Sequence, residues 1–218
     1  MDTNNAREVL LFGAHRNEIL FAATVPIPAQ RTPSDVVRAA LSLAKEAKTN
    51  LAGVKLDGRD LSGLDMSGMK LGKGNFHATD LSGATLAGAM LKYALFEGAK
   101  LGGADLQGAD LRNANLAGVD MRGAKLKGAD LRHATMDGAD LRGADLSQVK
   151  LERATLRGAN LEGANLSRAM LTYCVADGAN FTDAQFESVE FYMADMKEVT
   201  GLADEVRAHA LRMRCEFG

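Results

Sequence analysis

The side chains best suited to chemistry in this sequence are four histidines, two cysteines and a recurring series of aspartates. His15, His77, His133 and His209 fall in separate regions, and no metal set or nucleophile–base pair is suggested around any of them. Cys174 and Cys215 are too few for a disulfide scaffold and lack metal-ligand spacing, which fits a reducing cytosol. Catalysis, a metal and a cofactor are therefore not expected. The aspartates differ because they recur on a beat. Asp60, Asp80, Asp120 and Asp140 share one phase of a twenty-residue interval, and Asp65, Asp105 and Asp145 share another. What they can do depends on the element that spaces them.

That element is a five-residue repeat. From Leu51 to Met196 every fifth residue is large and apolar, thirty positions without a slip: twenty Leu, five Phe, four Met and Ala176. Two residues before each sits a small one, and from Ala84 to Ala194 nineteen of these twenty-three are Ala. Val119, Val149, Cys174 and Val189 are the others, so Cys174 reads as a small core residue. Gly dominates two residues after the large one, as in Ala139-Asp140-Leu141-Arg142-Gly143. A five-residue step turns about 140° around an α-helix and would scatter the leucines to every side. On an extended strand the small and large residues share one face, and Gly supplies a tight corner before the next unit. These glycines turn corners rather than open helices, so they form no phosphate-binding loop.

Replacements of the corner Gly reveal the size of a coil. Every twentieth residue after Gly53 is something else: Lys73, Tyr93, Asn113, His133, Arg153, Tyr173 and Met193. A neighbouring column keeps Gly from Gly63 to Gly163. Four pentapeptides per coil make a square solenoid with one corner type distinct from the rest. Thirty units give seven and a half coils, a rod about 36 Å long at ~4.8 Å per stacked strand.

The repeat resembles the pentapeptide repeat family, whose small–Asp/Asn–Leu/Phe–polar–Gly signature it follows almost unit for unit. The resemblance implies an all-β solenoid, a right-handed quadrilateral β-helix, over about two thirds of the chain. It also implies that dimers are common, and that a subset of members binds type II topoisomerases as a mimic of duplex DNA.

Both ends depart from the repeat, and an open solenoid end needs a cap. Val9–Phe12 and Ile19–Ala22 flank Ala14–Glu18 and predict a β-hairpin ended by Pro26 and Pro28. Thr32, Pro33 and Asp35 predict a helix start with a capping box, and Val36, Val37, Ala40, Leu41, Ala44 and Ala47 give that helix an apolar side. Leu202, Val206, Ala210 and Met213 predict a short C-terminal helix, a cap or a homodimer contact. The expected division is an N-terminal cap at 1–50, the solenoid at 51–198 and a C-terminal segment at 199–218. Arg59, at a small inward position, marks an imperfect early repeat.

Function is then sought on the outside of the rod. One ladder runs Asp60, Asp80, Lys100, Asp120, Asp140, and a neighbouring one Asp65, Thr85, Asp105, Lys125, Asp145. Acidic ladders are what a DNA mimic would need. Lysines break both, Arg122 and Arg142 flank the first, and residues 51–198 hold 20 acidic against 17 basic side chains, fewer net charges than a phosphate backbone suggests. Lys73, Lys92, Arg112, Arg132 and Arg153 are assigned to another face. The outward position before the large residue is polar almost everywhere, yet Met90, Leu95, Met170 and Val175 occupy it around the corner residues Tyr93 and Tyr173. The two segments are four coils apart, about 19 Å on one edge, and exposed apolar groups with an aromatic are candidate interface anchors.

With a net charge of -2 and pI near 6.1, there is no global attraction to nucleic acid or anionic membrane, and no apolar stretch reaches the length of a span. The expectation is a cytoplasmic, non-catalytic interaction or scaffolding protein with a protein partner or a second copy. The alternatives are a modulator of DNA gyrase or topoisomerase IV, and a phage or prophage accessory protein, because the hairpin–helix leader resembles leaders before repeats in such sequences.

Overall fold

The computed structural model describes residues 6–13, 18–26 and 32–217. His15, Pro28 and the hairpin turn at 14–17 lie outside them. The chain opens with an antiparallel pair, β1 (Ala6–Phe12) and β2 (Ile19–Pro26), followed by helix α1 (Pro33–Glu46). The solenoid occupies the middle, and helix α2 (Asp204–Arg212) lies near its end. No helix among the described residues is long and apolar enough to cross a membrane.

Each strand of the rod is one pentapeptide long and pairs in parallel with the unit twenty residues away, in an unbroken series from Asn50↔Lys70 to Asn180↔Thr200. The chain is therefore a right-handed square β-helix with four faces. Its outward columns are named here by a member: the Asp60, Asp65, Met90 and Leu95 faces. Twenty-nine of the thirty large residues are buried; Phe186, near the C-terminal end, is half-buried. Phe76 and Phe96 stack inside the rod, ring centroids 4.8 Å apart.

One unit accounts for all of its backbone donors. Asp110 N–H donates to the Ala89 carbonyl (2.9 Å), Leu111 to Asp130 (2.8 Å), Asn113 to Arg132 (3.1 Å) and Ala114 back to Leu111 (3.0 Å). The fifth, Arg112 N–H, donates to the Asp110 side chain at 3.3 Å. A carboxylate or amide just before the large residue thus closes an Asx turn over the corner and leaves no donor unmatched. This is the physical reason for Asp and Asn at that position, repeated at Asp60, Asn115 and Asn165.

The corners correct one expectation. The column that lacks Gly is not a different kind of corner: Lys73, Tyr93, Asn113, His133, Arg153, Tyr173 and Met193 have φ between 52° and 62°, beside 63° to 65° at Gly63, Gly83, Gly103 and Gly123. All are left-handed; only the side chain differs. A Cβ on Gly123 would meet nothing within 4 Å, so Gly is favoured there by φ and not by space. Gly123→Ala is therefore expected to lower stability by about 1 kcal/mol. Gln148→Gly, at φ 58°, should raise it by about half as much, since lost strain is offset by unfolded-state entropy. Urea midpoints measure both, and a gain from Gly123→Ala would contradict a left-handed corner.

The N-terminal elements pack on the first coil. The Thr32 side chain accepts from Asp35 N–H, and Asp35 reaches back to Thr32 N–H, so the capping box forms. Ala40, Leu41 and Ala44 are buried. Arg38 donates to the Ser62 carbonyl at 2.7 Å, and Lys55 N–H donates to the Phe12 carbonyl at 2.9 Å. Ala47, expected on the apolar side, is instead the exposed C-cap. Arg59 is half-buried and lines a cavity together with Leu11, Phe12 and Val37.

At the other end Leu202 precedes α2, Met213 is its exposed C-cap, and Ala210 is its buried residue. Residues 213–216 supply one more rung, with Met193 N–H donating to Met213 and Met196 N–H to Glu216. That rung pairs with the last strand of the Leu95 face, Asp195 bridging Glu216.

Candidate interaction edge

Among the described residues no group of three His, Cys, Asp or Glu could hold a metal. His77 lies 4.0 Å from Glu97, His133 occupies a corner, and His209 faces the Phe191 ring. Both cysteines are free and buried; burial pushes the Cys174 thiol up to about 12, which keeps it protonated and unreactive.

The acidic ladders have largely local work. In three Asp-Leu-Arg units and in Asp120-Met121-Arg122 the arginine forks back onto its own aspartate: Arg112–Asp110, Arg122–Asp120, Arg132–Asp130 and Arg142–Asp140, with Nη2–Oδ2 distances of 2.6 to 2.7 Å. The bidentate arginine bonds hold Asp110, Asp120 and Asp140 below the usual carboxylate range; at Asp130 burial opposes but the Arg132 bonds prevail. Asp65 is held at about 2, chiefly by Lys45 of α1, and Asp60 is lowered by the Ser62 hydroxyl and N–H. Asp80 sits 3.8 Å from Lys100, while Asp105 and Asp145 each close an Asx turn. These side chains are spread over three faces and tied to the chain's own backbone, lysines and arginines.

The corner between the Met90 and Leu95 faces differs. The bridges align Met90 and Met170 on one face, and Leu95 and Val175 on the next, with Tyr93 and Tyr173 between them. Met90 (50% exposed), Tyr93 (45%), Leu95 (48%) and Tyr173 (43%) stand in solvent, whereas Met170 and Val175 are half-buried. The structure adds two residues that the sequence reasoning missed, exposed Tyr192 and Met193; Tyr192 meets Tyr173 edge-on at 6.0 Å. All three tyrosines of the chain thus lie on this one edge. The twenty-residue interval from Lys92 through Thr172 to Tyr192 carried that signal.

The basic series, on another face from the acidic ladders, falls on this edge as well. Lys73 and Arg153 occupy the same corner column as Tyr93, and Lys92, Arg112 and Arg132 the column beside it. Lys92 Nζ lies 5.0 Å from the Tyr93 ring centroid, and the Arg153 guanidinium 5.6 Å from that of Tyr173. Left-handed tyrosines are strained where Gly would be relaxed. Their rings are steadied by cations yet remain exposed.

The sequence profile described as pentapeptide repeats matches in eight copies across residues 49–88, 89–128, 124–163, 150–187 and 164–200. The chain belongs to the pentapeptide repeat family. Among solved structures, HetL, a pentapeptide repeat protein involved in heterocyst differentiation regulation from Nostoc sp. PCC 7120, is 26% identical over 75% of this chain and 97% of its own, with a TM-score of 0.37. Trypsin-treated QnrB1, a plasmid-mediated fluoroquinolone resistance protein, is 25% identical over 75% and 88%, with a TM-score of 0.49. A pentapeptide repeat protein of the Arabidopsis thaliana thylakoid lumen is 28% identical over 63% and 77%, with a TM-score of 0.21. No curated protein matches the chain. Within this family member the tyrosine edge is where side-chain identity departs furthest from the repeat.

Proposed function

We propose that this pentapeptide repeat protein is a non-catalytic, cytoplasmic binding module that docks a protein partner along its tyrosine edge. In this reading 51–198 is the binding rod, and 1–50 and 199–218 serve as its caps. The observation that carries it is the gathering of Tyr93, Tyr173 and Tyr192 on one edge with exposed Met90 and Leu95. Tyrosine and arginine supply most hot-spot energy at protein interfaces. The two buried free thiols support a reducing compartment. The arginine forks on Asp120 and Asp140 weigh against an anionic surface shaped like DNA, and hence against a topoisomerase-binding role.

The test is a variant with Met90, Tyr93, Met170 and Tyr173 all changed to Ser. These positions face outward, so the urea midpoint should hold to within about 0.5 kcal/mol per site. Association with partners captured from the source cell should fall at least about tenfold. Unchanged oligomeric state and unchanged partners would defeat the reading. Inhibition of gyrase supercoiling by the parent chain, surviving in this variant, would return the acidic ladders to first place.

A further inference from the structure

The tyrosine edge is self-complementary when read against its own reverse. Taking the coil of Asp130 and His133 as the centre, the Met90 face reads outward in one direction as Asp110, Met90, Lys70, and in the other as Lys150, Met170, Glu190. Equal distances from the centre thus carry Asp against Lys, Met against Met, and Lys against Glu. On the Leu95 face the matching pairs are Asn115 with Thr155, and Leu95 with Val175. In the two corner columns they are Tyr93 with Tyr173 and Arg112 with Glu152.

A twofold axis perpendicular to the rod at this level brings each member of these pairs onto its counterpart in an antiparallel copy. Such an axis keeps the Met90 face beside the Met90 face, because rotation about it reverses the rod's direction without exchanging the two flanks. We infer that the partner of the tyrosine edge is a second copy of this chain, packed side by side and antiparallel about the coil of His133. This inference rests on the edge being a docking surface and names its occupant.

The charge distribution favours it independently of the apolar match. Lys70, Lys150 and Glu190 have no ion-pair partner among the described residues and are exposed, so they are available to a neighbour. Glu152 Oε2 is buried and has no hydrogen-bond partner among the described residues, while Arg112 of the opposing copy would lie at its level. At the centre Asp130 and Arg132 already pair as a fork, so their copies meet as neutral units. From Lys70 to Asp195 the edge holds seven basic and five acidic side chains, so net repulsion is small and arrangement decides.

The experiment is sedimentation equilibrium of the purified full chain from low micromolar to near millimolar concentration. The parent is expected to dimerise. Lys70→Glu or Glu190→Lys alone places like charges at two symmetry-related contacts and should weaken the dimer about tenfold, while the double exchange should restore it to within about threefold. His133→Cys gives a second readout. It lies on the axis, so its copies should form an intermolecular disulfide under mild oxidation, whereas Gly143→Cys on another corner should not.

A chain monomeric at every concentration, or a dimer indifferent to the charge exchanges and to His133→Cys, as an end-on contact through α2 would be, overturns the inference. The docking reading is tested apart from this one. A monomeric parent that loses a foreign partner on serine substitution sinks self-association and leaves the edge in place.

Discussion

Leu131→Ala is expected to lower the stability of the rod by about 3 kcal/mol, as buried Leu-to-Ala changes in tight cores do. Leu131 is fully buried at mid-rod, with Leu111 and Leu151 one coil to either side of it in the same column. The surroundings cannot collapse into the space it leaves. Its own N–H donates to the Lys150 carbonyl at 2.8 Å and Leu111 N–H donates to Asp130 at 2.8 Å, so adjacent rungs are held at a fixed spacing. A void at this level also weakens the interface between neighbouring coils, the coupling on which cooperative unfolding of a repeat array depends. Urea denaturation should show a lower midpoint with a similar slope. Thr135→Ala, on the outward side of the next unit, should change it by no more than about 0.5 kcal/mol. A loss below about 1 kcal/mol at Leu131 would mean that the interior is not packed as described.

Gly201→Ala is expected to release the C-terminal cap, at a local cost of about 3 kcal/mol from overpacking and φ strain together. Gly201 has φ 76°, and a Cβ there would fall inside the contact distance of the Thr182 backbone nitrogen and Cα. Thr182 cannot yield easily, because its N–H donates to Asn180 at 3.0 Å and its carbonyl accepts from Gly163 at 2.9 Å. The chain after residue 201 must therefore move, taking with it α2 and the 213–216 rung. Cys215, whose thiol donates to the Phe191 carbonyl at 3.0 Å, reports the change. Thiol labelling of Cys215 should accelerate strongly while Cys174 stays protected at mid-rod. Equal protection of Cys215 in parent and variant would show that the cap tolerates the substitution. The contrast with Gly123 is instructive: the same residue type guards only a dihedral angle at one corner and a close backbone approach at the other.

How much was legible in the sequence varies along the chain. In a solenoid the neighbours of residue n sit twenty positions away, so the periodicity of Leu, Ala and Gly contains the inward columns, the corners and the faces directly. The capping box of α1 was equally visible, since Thr32 and Asp35 interact across three residues. The ends were read less well. Leu202 and Met213 fall outside α2, and the rung at 213–216 breaks the five-residue beat, so no pattern announced it.

The candidate edge shows the same division. Sequence alone identified Met90, Tyr93, Leu95, Met170, Tyr173 and Val175 and put them in two clusters four coils apart. Tertiary structure decided three further matters. The Lys73-to-Arg153 series shares their edge, because columns that differ by one residue at a corner project side by side. Tyr192 joins them by an edge-on contact with Tyr173. The acidic ladders are largely engaged, because an Asx turn and an arginine two residues on can both reach the same carboxylate. Periodicity specifies which column a residue occupies; which partner its side chain takes depends on distances across corners and between coils, and only the folded rod sets those.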